Sequence, residues 1–214
     1  MKWIAALSAF ALAGCATTTP PRDQFDRLAS LCGKAFEGRI VSPPVAADAS
    51  FAGKRLVMHV RECARDAIRI PFHVGDDRSR TWVITRTATG LRLKHDHRHR
   101  DGSEDKVTQY GGDSTTPPAA ARQEFPADAF TKALLVREGN VAGANNVWAV
   151  ELIDGRTFAY ELRRPGRFFR VDFDLTRPVA PPPPPSGSDC AAISRVDGMD
   201  ALGVGIVGAL DRRT

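Results

Sequence analysis

Three of the five histidines fall in one stretch, Leu91 to Asp105 (LRLKHDHRHRDGSED). His95, His97 and His99 alternate there with Asp96 and Arg98, so an extended strand turns all three toward the face of Leu91 and Leu93. Imidazoles two residues apart lie about 6.8 Å apart along a strand and can share one ion; those four apart, at about 13 Å, cannot. A zinc centre wants four ligands at about 2.0–2.3 Å, so neighbouring strands must supply the rest. If Asp101-Gly102 is a two-residue turn, Glu104 faces His99, and His73 (or, less favourably, His59) is positioned to complete the set. Zinc or a singly ligated haem are the two cofactors this pattern allows. A solvated polar hairpin tip is the plainer reading, given Arg100, Asp101, Ser103, Glu104 and Asp105 around it.

Other groups with chemical potential are more scattered. Asp76 and Asp77 sit between two strand patterns, where a polar loop accounts for them. Arg163, Arg164, Arg167 and Arg170 cluster around one turn, a cationic tip suited either to water or to anionic lipid headgroups. Trp82, Trp148, Tyr110 and Tyr160 are candidates to line a cavity for a small apolar ligand, the alternative being ordinary core. No Gly-x-Ser-x-Gly elbow, His-Glu-x-x-His helix, phosphate loop or Cys-x-x-Cys pair occurs, which argues against the common enzyme classes that need them. The formal charge of +5 over 214 residues is spread along the chain rather than massed on one helix. A solvated surface explains it better than nucleic-acid binding.

The elements that must position these groups are mostly strands. Asp23–Leu31 has apolar residues at spacing three and suits a short helix. From Lys34 onward the period is two. The strands expected are Lys34–Val41, Lys54–Glu62, Ala67–Val74, Thr81–Thr87, Leu91–His99, Glu104–Tyr110, Ala121–Phe125, Asn146–Leu152, Thr157–Leu162 and Phe169–Leu175. Pro126–Arg137 reads as a second helix, and Pro165-Gly166 as a hairpin turn. About nine to ten short antiparallel strands predict an all-β, up-and-down barrel with two short helices; a two-sheet sandwich is the alternative. Gly33–Gly38 (GKAFEG) resembles the first strand of calycin-type barrels such as lipocalins and nitrobindins, which carry tryptophan where Phe36 stands. That resemblance implies a ligand-holding barrel.

The first residues, MKWIAALSAFALAGC, combine a basic head, an apolar run too short to span a bilayer, and small residues before Cys15. Leu12-Ala13-Gly14-Cys15 resembles the lipobox of bacterial lipoproteins. The resemblance implies cleavage before Cys15, lipid on its thiol, and an envelope location; Ala16, in place of aspartate, favours the outer membrane over the inner. The implied domains are a signal at 1–14, a lipidated tether at 15–22, the barrel at 23–179 and a proline-rich, disordered tail at 180–214. Protein partners are not readable. An oxidising compartment permits Cys32 and Cys63 to pair, with two buried free thiols equally allowed, and leaves Cys190 unpaired.

Overall fold

The computed structural model describes residues 23–188. The expected signal, the Cys15 tether and Cys190, with the rest of the expected tail after residue 188, lie outside them. The chain runs α1 (Gln24–Ala29), β1 (Ala35–Ile40), β2 (Leu56–His59), β3 (Glu62–Cys63), β4 (Ala67–Val74), β5 (Asp77–Arg86), β6 (Leu91–His97) and β7 (Tyr110–Asp113). It continues through β8 (Arg122–Pro126), α2 (Ala129–Arg137), β9 (Val147–Ile153), β10 (Thr157–Arg164) and β11 (Arg167–Val179). Every strand pairing is antiparallel. The order β7-β6-β5-β4-β2-β1-β11-β10-β9-β8 wraps into a nearly closed barrel of ten strands, with β3 attached to β4 alone.

Closure works because the first and last strands meet: β1 pairs with β11 as well as with β2. The remaining seam, between β7 and β8, is held by isolated bonds instead of a ladder. Thr131, from α2, both accepts from Gly111 N and donates to Gly111 O, each at 2.8 Å, while Asp128 N donates to the same carbonyl. Only glycine fits here. A Cβ on Gly111 would stand 1.9 Å from Leu93 O, and one on Gly112 equally close to Pro126 O. The sheet's ends can therefore approach closely enough for one threonine to join them.

Alternation along each strand sends Phe36, Met58, Ile70, Trp82, Ile84, Leu93, Val150, Phe158 and Phe173 into a continuous core. One end of the barrel is stoppered. There α1 inserts Phe25 and Leu28, and Asp23 caps it by accepting from Asp26 N. Arg86, at the end of β5, binds the Asp23 and Asp26 carboxylates. Cys32, just past α1, forms a disulfide with Cys63 of β3. Closing a loop of 31 residues in the unfolded chain is worth about 3–4 kcal/mol by chain entropy.

Three sequence expectations change. The second helix begins at Ala129, capped by the Asp128 carboxylate, because Pro126 completes β8. Residues 105–109, expected within a strand from Glu104 to Tyr110, are irregular, and β7 starts only at Tyr110. The chain also stays on the barrel after Val179. Residues 180–188 run back along the outer surface to the opposite end, where Ser186 N donates to Arg78 O and Arg78 donates to Pro184 O. Gly187 there packs against Gly102. Prolines 181–185 lack backbone donors, so the segment lies across the strands without joining them.

Candidate ligand cavity at the barrel mouth

The end opposite α1 is open. A cavity of about 440 Å³ reaches inward from it, within the range of about 300–1,000 Å³ usual for small-molecule sites. Trp82, Trp148, Tyr110 and Tyr160 all line it, as do Phe72 and Phe169. Period-two alternation on β5, β9 and β10 is what turns the first, second and fourth of these inward. The rings form a continuous wall. Trp82 stacks on Phe72 at 4.7 Å between centroids and on Tyr160 at 4.3 Å.

The histidine strand joins this wall. His95 is buried and lies flat against Tyr110, centroids 4.4 Å apart. Its Nδ1 is 3.1 Å from the Tyr110 carbonyl and its Nε2 2.8 Å from the Tyr160 hydroxyl. A carbonyl only accepts, so Nδ1 carries the proton and Nε2 accepts from Tyr160. Burial pushes the His95 pKa down to about 3, with the neighbouring His97 adding to the effect. The ring is a neutral, doubly bonded strut. His97 Nε2 lies 3.0 Å from the Tyr110 hydroxyl, and burial, with Arg80 nearby, lowers its pKa to about 4. Burial raises the pKa of both tyrosines, so all four groups stay uncharged at neutral pH.

The other proposed ligands are not gathered. The loop after β6 has three residues, Arg100-Asp101-Gly102, with Gly102 at φ +88°, instead of the two expected. His99 consequently opposes Ser103, and Glu104 moves opposite Arg98, with which it forms an ion pair at 3.0 Å. The exposed His99 ring lies 3.9 Å from Asp105. His73 belongs to the outward-facing set of β4, since its neighbours Phe72 and Val74 are in the core cluster. Burial and the Arg78 charge bring its pKa down to about 4. Among the described residues, no three His, Cys, Asp or Glu side chains come together in a metal-holding group.

Two of the four arginines of the expected cationic tip, Arg164 and Arg167, belong to the polar part of the mouth. Arg80, Arg164 and Arg167 line the cavity with Asp105, Asn140 and Asn146. The signal that separates them was present: Arg164 stands two residues after Leu162, and Arg167 two before Phe169, so strand parity turns both inward. Arg163 and Arg170 face out. Asp76 lies outside this cavity, whereas Asp77 pairs with Arg80 beside it.

Compared with protein-family models, curated proteins and solved structures, the chain gives no match.

Proposed function

We propose that this chain is a lipid-tethered envelope protein whose barrel holds a small amphipathic molecule in the mouth cavity. The observation that carries the binding reading is the cavity itself, an aromatic-walled space in a barrel whose opposite half is filled by side chains. Aromatic walls with a few fixed polar groups are the usual make-up of a small-molecule site. The neutral His95–Tyr160 and His97–Tyr110 pairs support a binding role, because they hold the wall's rings in place without presenting charge. The tether reading rests on Leu12-Ala13-Gly14-Cys15, and Ala16 favours the outer membrane.

Two experiments test the two halves. The full chain, purified from its native envelope, should release a small amphiphile on solvent extraction, detected by mass spectrometry. Ala47→Trp, which places an indole in the mouth, should empty it while the protein stays folded. Identical extracts from both proteins would defeat the binding reading. Labelled palmitate should enter the wild-type chain and not Cys15→Ala; equal labelling of both would defeat the tether.

A further inference from the structure

The cationic groups at the mouth are not equally compensated. Arg80 is neutralised by Asp77 and lies 5.5 Å from the Phe51 ring centroid. Arg167 pairs with Asp48, yet its Nη1 is buried without a hydrogen-bond partner. Arg164 has no carboxylate at all among the described residues; its one side-chain bond is 2.9 Å to the amide oxygen of Asn146. The remaining acid of the lining, Asp105, belongs to the β6–β7 loop and faces His99.

Arg164 and Arg167 are also directly opposite each other across the β10–β11 hairpin. Like charges at such a position repel, since their Cβ atoms are only about 5 Å apart. The pKa of Arg164 is lowered by burial and then by the Arg167 charge, the same repulsion seen from the other side. An orphaned guanidinium nitrogen, a guanidinium without a counter-ion, and their enforced proximity all sit above an aromatic floor. Two guanidiniums lining one cavity, one of them without a carboxylate among the described residues, suit an oxyanion.

We propose that the ligand is an amphiphilic organic anion. Its carboxylate, or an equivalent oxyanion head, lies between Arg164 and Arg167, and its apolar body extends inward over Phe169, Tyr160 and Trp82. This rests on the binding reading above and adds the sign of the ligand's charge and the direction in which it enters.

The test uses the full chain and three probes of one chain length: decanoate, decan-1-ol and decyltrimethylammonium, followed through the fluorescence of Trp82 and Trp148. Decanoate should bind about tenfold more tightly than decanol, and the cation weakest, since a charge-assisted pair of bonds is worth at least that factor. Arg164→Gln should remove most of the decanoate advantage and leave decanol within about twofold; retained decanol binding shows that the site is intact. Decyl phosphate, titrated alongside, separates a phosphate head from a carboxylate head by which of the two binds more tightly. If Arg164→Gln fails to fold, salt replaces it: raising NaCl from roughly 50 to 500 mM should weaken decanoate and spare decanol in the wild type. Equal affinity for decanoate and decanol, unchanged by salt or by Arg164→Gln, overturns the anion proposal and leaves the binding reading standing. No binding of any probe overturns both.

Discussion

Arg163 and Arg164 are neighbours on one strand and point to opposite sides of the barrel wall. Outside, Arg163 forms an ion pair with Glu124 at 2.6 Å. It stands at the edge of a lattice in which Arg122 and Arg170 both bind the buried Glu161 at 2.5 Å. Glu151 and Asp172 extend the lattice through Arg170. Every arginine there has a carboxylate, and Arg122, Glu124 and Glu161 have pKa values moved in the direction that favours their charged forms. Inside, Arg164 has an amide and a repelling neighbour. The outer set holds strands β8 to β11 together; inside, Arg167 is tied to Asp48, and Arg164 has no carboxylate among the described residues. Position in a charge cluster is thus a poor guide to role, while the side of the wall is a good one.

The sharpest way to break this comparison is to remove the centre of the outer lattice. Glu161 is 5% exposed, and Glu161→Ala removes the buried carboxylate that Arg122 and Arg170 share, leaving them only their more exposed partners Glu124, Glu151 and Asp172. A loss of about 3 kcal/mol is expected in urea unfolding, the size usual when one partner of a buried ion pair is deleted. A loss no larger than that of an exposed pair would mean the lattice is not structural.

Acid should act on the buried histidines before it acts on the outer lattice. The folded pKa values of His95 and His97, about 3 and about 4, lie below the ordinary value of 6.5. The unfolded chain therefore takes up these protons before the folded one does. Stability present above pH 6.5 falls as the pH drops toward 4, at up to about 1.4 kcal/mol per pH unit for each fully engaged histidine. Glu124 and Glu161 have lowered pKa values, so the outer lattice keeps its contribution above the ordinary carboxylate range and loses it only below about pH 4.5. Urea midpoints measured from pH 7 to pH 4 should decline from the start of the histidine range; a flat profile down to pH 4.5 would contradict it.

The smallest effects compare the neighbours directly. Arg163 is 44% exposed in its side chain, and Arg163→Ala should cost less than about 1 kcal/mol. Arg164→Gln should change stability by less than about 0.5 kcal/mol, because relief of repulsion offsets the lost bond to Asn146. A large destabilisation by Arg164→Gln would make it a structural residue and remove the contrast.

The barrel was legible where side chains alternate. β4, β5, β6, β9, β10 and β11 each carry apolar residues at period two, so their inward sets, Trp82, Trp148 and Tyr160 among them, follow from parity alone. Two kinds of feature were not legible. The register after β6 turns on whether Arg100 belongs to the loop, and one residue there moves Glu104 from His99 to Arg98. The β7–β8 seam depends on a threonine hydroxyl from a helix meeting a glycine twenty residues earlier, a contact no local pattern announces. The proline run does announce stiffness. That it folds back along the wall depends on Arg78, about a hundred positions away, presenting both a donor and an acceptor.

That return path sets the polarity of the whole domain. Asp23 leaves the barrel beside α1, at the stoppered pole, and β11 also finishes there, with Val179 opposite Ala35. Without residues 180–188 both ends of the described chain would emerge together. With them, Ser188 is carried to the mouth, beside Arg78 and Gly102. A strand the length of β5, ten residues tilted about 40° from the axis, spans about 25 Å along it. The domain is therefore a spacer as well as a container: Asp23 and Ser188 stand at opposite poles, a barrel's length apart.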